Sequence, residues 1–225
     1  MLFKVKITIF AVQIKRHQLN MSKAPIIGIS RLRMGTDGRG VTTLVAFHGC
    51  PLHCAYCLNP QCHEPTNKRI TSEKLMKLLR KDELYFLASK GGVTFGGGEP
   101  YLHVGFIKEI MELGAKDWHT SVETSLNVPL DNLQELEPNI DEYIVDIKDM
   151  DGDTYKRYTL KDNNQVLDNL RWLIDNGHAQ HIMCRIPLIP SYNSQEAQMK
   201  SRKVLSDMGI TRFDFFRYKT NINKK

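Results

Sequence analysis

No stretch of the 225 residues approaches the roughly eighteen consecutive apolar residues that a membrane-spanning helix needs. Internal repeats, low-complexity tracts and Pro/Gly/Ser-rich linkers are also missing, which argues against a solenoid and against two tethered domains. Charge of one sign is lacking where it would matter. Of the 31 basic residues, Lys4, Lys6, Lys15, Arg16, Lys224 and Lys225 lie in the first twenty and last five positions, which hold no acid, so residues 21–220 set 25 bases against 25 acids. The net charge of +6 thus belongs to the ends, and a nucleic-acid face is not expected. Cysteine is scarce, with five residues of which three fall in one short stretch. That excludes a secreted disulfide framework and suits a reducing cytoplasm. Lysines interrupt the apolar start Met1–Val12 and no small-residue cleavage site follows, so it does not read as a signal peptide. We expect residues 1–24 to be a disordered or misannotated extension, with Met21 a candidate true start, followed by one domain over 25–220 and a tail at 221–225.

What is present is ordinary for a soluble globular chain, at 41% hydrophobic and 25% charged residues. Ile26–Arg33 alternates weakly, and Gly35–Gly40 is a glycine-punctuated loop. Val41–Phe47 is β-branched and apolar, which predicts a buried strand. Further strands are predicted at Gly92–Phe95, Thr120–Thr124, Tyr143–Ile147, Ile182–Ile186 and Phe213–Phe216. Helices are predicted from Thr71 (with Leu75, Met76, Leu78 and Leu79 as the buried stripe), near 103–114, after Pro129, near 163–176 and near 194–208. Six strands alternating with five helices imply an α/β fold of parallel strands, either a barrel or a doubly wound sheet, with ligands at the C-terminal strand ends.

The cysteines form Cys50-x3-Cys54-x2-Cys57, directly behind the Val41–Phe47 strand. Structural zinc and all-cysteine iron–sulfur clusters both take four protein ligands, so a compact set of three leaves one metal position open to substrate. Tyr56 places an aromatic beside the array. The competing reading is a zinc knuckle completed by His48, His53 or His63. Cys62 and Cys184 read as plain thiols.

Gly96-Gly97-Gly98-Glu99-Pro100 follows the second predicted strand, where consecutive glycines let backbone approach a ligand or turn tightly into a helix. The next two strands end in Glu123-Thr124 and Asp146-Ile-Lys148. Residues two apart on a strand face the same way, so Asp146 and Lys148 can act on one ligand. Cys184-Arg185-Ile-Pro-Leu-Ile-Pro190 carries an arginine whose planar fork suits a carboxylate, or which pairs with Asp146 or Glu123.

This series resembles the radical S-adenosylmethionine (SAM) family, and within it the activating enzymes of glycyl-radical enzymes. The resemblance covers about 26–219 and implies a partial (β/α)6 barrel. It implies a 4Fe-4S cluster on Cys50, Cys54 and Cys57 whose fourth iron binds the amino and carboxylate groups of SAM, with release of a 5′-deoxyadenosyl radical. By the same resemblance Tyr56, Gly97, Gly98, Glu99, Glu123, Thr124, Asp146, Lys148 and Arg185 are SAM-binding candidates, with a monovalent cation among the acids. The family's D-G-P-G-I-R-T stretch stands here as Asp37-Gly-Arg39-Gly-Val-Thr42-Thr43, without its proline and arginine, and Glu123 replaces an Asp. The implied reaction is hydrogen abstraction from a glycine of a partner protein, with reduced flavodoxin or ferredoxin as electron donor. A maturase of ribosomal peptides is the alternative enzyme, and a non-catalytic metal-binding module the alternative without catalysis.

Overall fold

Val41–Phe47 forms strand β2, with Val45 and Phe47 fully buried, as its β-branched and apolar residues dictate. The computed structural model describes residues 21–218. Beside β2 lies β4 (Gly92–Gly97), followed by β5 (His119–Thr124), β6 (Glu142–Asp146), β7 (Ile182–Leu188) and β8 (Arg212–Arg217), each pair parallel. These are the six strands expected from the alternation. Parallel pairs need crossovers, here the helices α1 (Ser72–Leu79), α2 (Glu83–Ser89), α3 (Val104–Glu112), α4 (Leu130–Leu136), α5 (Gly152–Thr159), α6 (Asn164–Asp175) and α7 (Gln195–Asp207). The α/β architecture is the partial (β/α)6 barrel, and every strand end that carries a candidate residue opens on one face.

Capping starts several helices. The Thr71 side chain accepts from Lys74 N–H at 3.2 Å, Asp151 from Thr154 N–H at 2.8 Å and Ser194 from Ala197 N–H at 3.2 Å. Leu75, Met76 and Leu79 bury the inner stripe of α1, while Leu78 is only partly covered.

Two strands and two helices were not foreseen. β1 (Lys23–Met34) runs antiparallel to β2, and β3 (Arg69–Thr71) antiparallel to β1, giving the order β3-β1-β2-β4-β5-β6-β7-β8. β1 shifts register between Ile26 and Gly28 and again between Ser30 and Arg33, and Leu32 sits at φ 54°. Each irregularity exchanges the inward and outward faces, which is why the sequence alternates only weakly. β1 also begins at Lys23 with Ala24 buried, inside the expected extension of residues 1–24. The remaining expectations for 1–20 and for the tail 221–225 lie outside the described residues. Helix α2 leaves Leu84, Tyr85 and Leu87 exposed and buries Phe86, so no apolar stripe marks it. Helix α5 is polar in sequence but buries Tyr155, Tyr158 and Thr159 against the cysteine loop.

Inside the barrel, the loop after β1 reaches inward. Asp37 is buried, Thr94 Oγ1 donates to its carbonyl, and a Cβ on Gly38 would lie 2.5 Å from Ser121 Oγ. With φ at 105°, Gly38 allows a crossing that a larger residue would obstruct.

Candidate active site

β2 hands the chain to the cysteine loop at Phe47, and backbone bonds fix that loop on three sides. His48 N–H donates to Pro25 O at 3.1 Å, and Gly49 N–H donates to Cys62 O at 3.0 Å. His53 N–H and Ala55 N–H donate to Thr159 O at 2.9 Å and Tyr158 O at 3.0 Å, so the end of α5 clamps the loop between its first and last thiols. Cys50, Cys54 and Cys57 are half-buried and line one cavity at the C-terminal strand ends. Cys62 and Cys184 are buried and stand outside that lining. Among the described residues no three His, Cys, Asp or Glu side chains converge on one point as a single zinc ion requires. Three thiols that line one cavity suit a cluster that takes one thiolate per iron. Burial pushes the Cys54 thiol up to about 11, and burial with the nearby Glu99 carboxylate pushes Cys50 well above the thiol range. Cluster binding at these positions must therefore release protons.

Gly97 and Gly98 line the cavity beside the thiols because β4 passes close to β2 there. A Cβ on Gly97, whose φ is 95°, would meet Ala46 Cα at 2.7 Å, and one on Gly98 would meet Gly49 O at 2.1 Å. Gly98 N–H donates to Phe47 O at 2.8 Å and Glu99 N–H to Gly49 O at 2.7 Å, joining the glycine turn to the head of the cysteine loop. Glu99 itself turns away from the cavity and is fully buried. Its carboxylate accepts from Thr124 Oγ1 at 2.8 Å, Ser125 Oγ at 2.7 Å and Ser125 N–H at 3.0 Å, tying β4 to the end of β5. Burial raises its pKa, and the Ser125 and Thr124 donors oppose that shift.

Across the cavity stand Glu123, Thr124, Asp146 and Lys148. Lys148 Nζ forms an ion pair with Asp146 Oδ2 and donates to the Tyr218 hydroxyl at 3.0 Å. Burial opposes the Lys148 charge, but Asp146 together with Tyr218, Cys54 and Tyr158 outweighs it, and the ammonium titrates well above the ordinary lysine value. The other Asp146 oxygen, Oδ1, is buried without a hydrogen-bond partner. A buried, unpaired carboxylate oxygen on a residue that lines a cavity is costly and suits a polar or cationic ligand. Arg185 does not reach the lining. It pairs with Glu123, donates to Thr36 O and lies 3.5 Å from Asp214 and 3.8 Å from Asp37, the carboxylate-paired alternative expected for it. Tyr56 is also directed elsewhere, packing edge-on against Tyr192 at 5.8 Å between centroids.

Three polar lining residues were missed. Asn59 Nδ2 donates to Gly97 O at 3.0 Å, Ser125 sits at the β5 end, and Tyr218 closes the far wall. Asn59 and Ser125 adjoin recognised motifs and could have been read with them. Tyr218 had no local signal.

The sequence pattern described as the Radical SAM superfamily matches residues 44–200, more than two thirds of the chain. The chain belongs to the radical SAM superfamily. It is similar to the (2S)-3-sulfopropanediol dehydratase activating enzyme of Klebsiella oxytoca, at 33% identity over 77% of this chain and 74% of that protein. It is also similar to the pyruvate formate-lyase-activating enzyme of Clostridium pasteurianum, at 33% identity over 84% of this chain and 80% of that one. Among solved structures, Streptococcus suis SuiB superposes with a TM-score of 0.60 at 15% identity, over 78% of this chain but only 39% of SuiB, a likeness of fold. This radical SAM protein is an enzyme of a family that uses a 4Fe-4S cluster and SAM. Its donors fit both groups. Three thiols lining one cavity meet the cluster's need, and the glycine backbone and Lys148 in the same lining offer polar contacts to SAM. No described helix is long and apolar enough to cross a membrane.

Proposed function

We propose that this radical SAM enzyme activates a glycyl-radical enzyme by abstracting hydrogen from a glycine Cα of the partner protein. One observation carries the reading. The relatives that match over most of both chains are named as activating enzymes of other enzymes. When bound, the cluster and SAM supply a 5′-deoxyadenosyl radical.

The chain's own residues hold and orient these groups. Cys50, Cys54 and Cys57 would hold the cluster, with SAM beside it. The Gly97–Gly98 backbone admits the methionine part closely, and the Lys148 ammonium supports its carboxylate. Glu123, Thr124 and the unpaired Asp146 Oδ1 offer oxygens to a monovalent cation, with Arg185 bracing Glu123 from behind. Leu44, Ala46 and Leu52 form an apolar wall that keeps water from the reacting carbon. A low-potential protein, reduced flavodoxin or ferredoxin, is the expected electron donor.

The test is anaerobic incubation of reconstituted enzyme with SAM, reductant and candidate glycyl-radical enzymes. The expected result is a glycyl-radical EPR doublet on one partner, in step with 5′-deoxyadenosine formation. Modification of a short ribosomal peptide, with no doublet on any partner, would replace this reading with that of a peptide maturase.

A further inference from the structure

Apart from the exposed charge of Arg217, β8 ends the sheet without the devices that usually blunt an edge strand. At the opposite end β3 is only three residues long and β1 is broken by register shifts. β8 instead keeps an unbroken parallel register with β7, from Arg212 beside Met183 to Arg217 beside Leu188, and contains no proline. Long regular edges invite another strand.

The free side of this edge can be assigned residue by residue. Tyr218 N–H donates to Leu188 O at 3.1 Å, so by alternation Phe216, Asp214 and Arg212 turn their backbone groups toward β7. The N–H and C=O groups of Phe213, Phe215 and Arg217 face the other way, and no described residue bonds them. Inward charges do not guard the edge, because Arg212 pairs with Glu142 and Asp214 lies 3.5 Å from Arg185. On the outer face Phe215 is 40% exposed. The edge also leads to the chemistry, since Tyr218 follows the last residue of β8, lines the cavity and bonds Lys148.

We infer that the free edge of β8 binds the substrate protein as an added β-strand, carrying its glycine toward the cavity mouth at Tyr218. This rests on the activating-enzyme reading. A glycine offers no side chain to grip, so the handle must be its main chain, and strand addition is the recognition mode that reads main chain. The ladder sets the segment's position in steps of about 3.3 Å per residue, fine enough to choose one Cα among its neighbours. Alternation turns every second residue of the added strand inward, and a glycine there brings its Cα close with no Cβ in the way.

The test uses reconstituted full-length enzyme with SAM and a fluorescein-labelled, glycine-centred peptide of valine and threonine, chosen because a ladder depends little on sequence. Anisotropy measures binding, and hydrogen exchange measures protection of individual amides. Binding should slow exchange at Phe213, Phe215 and Arg217 while leaving Asp214 and Phe216 unchanged. Phe215→Pro, which removes one outward N–H without touching the β7 ladder, should weaken binding by roughly tenfold, against less than about threefold for Phe215→Ala. If Phe215→Pro does not fold, Arg217→Pro tests the same edge. Absence of protection at the three outward amides, or equal effects of the proline and alanine variants, overturns the inference. A glycyl radical formed on a partner without that protection rejects the docking edge and keeps the activating function. Protection with no glycyl radical on any partner rejects the activating function and keeps the edge.

Discussion

The ammonium of Lys148 lies between the carboxylate of Asp146 and the hydroxyl of Tyr218, to which it donates at 3.0 Å. The first contact joins neighbours two residues apart, whereas the second spans 70 positions and links the end of β6 to the residue after β8. Tyr218→Phe removes one hydrogen bond to a charged group and should weaken SAM binding by about 1–2 kcal/mol. Lys148→Met also leaves the half-buried Asp146 without its counter-charge and should cost about 3 kcal/mol, divided between SAM affinity and folding stability. Calorimetric SAM titrations of the reconstituted variants, with thermal melts beside them, provide the check. Equal losses for the two substitutions would mean that Lys148 does not meet SAM.

The cluster ligands differ from the other thiols in lining the cavity, although the Cys62 thiol neighbours Cys57. Replacing Cys50, Cys54 or Cys57 with Ala should abolish uptake of four irons and the 4Fe-4S absorption, while Cys62→Ala and Cys184→Ala, both outside the cavity lining, should keep them. Iron analysis of anaerobically reconstituted protein measures this. One tightly bound zinc per chain without iron uptake would contradict it.

Stability should fall in acid through Glu142. Burial alone would raise its pKa, but His119 and Arg212 outweigh burial and hold it at about 2, against an ordinary 4.5. A depressed folded value contributes stability that is complete above the unfolded pKa and fades as pH falls from about 5 toward 2. At roughly 1.4 kcal/mol per unit the full contribution is about 3 kcal/mol. Urea melts at pH 6 and pH 3 should show a smaller pH dependence for Glu142→Gln than for the parent. Identical pH dependence in the two proteins would count against this assignment.

A monovalent cation at Asp146 Oδ1, Glu123 and Thr124 would show itself in buffer exchange. SAM should bind more weakly with tetramethylammonium as the sole cation than with potassium or sodium, because the large ion cannot enter the carboxylate site. Indifference of the dissociation constant to the cation would remove it from the proposal.

The positive ends of the chain should not confer a nucleic-acid function. Trimmed to residues 21–220, the protein should cleave SAM and lose any RNA retention that the full chain displays in low salt, since that span carries no net charge. Filter binding across a salt series measures it. Tight binding by the trimmed protein would reveal a basic face that the balanced count conceals.

Sequence alone determined whatever rests on short-range pattern. β2, β4, β6 and β7 were legible because parallel strands buried on both faces are written as compact apolar runs, β5 and β8 were legible from their place in the alternation with helices, and the order of all six follows from that alternation. The Cys50–Cys57 spacing and the glycine run were legible because cluster and close-backbone chemistry each need those residue types adjacent in the chain. Tertiary structure decided the rest. β1 hid behind its own register shifts, and α5 was concealed because its buried face consists of tyrosines and a threonine held against the cysteine loop. Glu99 and Arg185 stood in motifs that suggested ligand contact, and only the fold shows their protein partners, the buried Glu99 under β5 and the half-buried Arg185 behind Glu123. Tyr218 reached the cavity with no local signal, because only the parallel pairing of β8 with β7 carries it to Lys148. The physical division is one of range. Periodicity and motif spacing act within a few residues, whereas the direction in which a side chain faces a cavity depends on strand neighbours far away in the sequence.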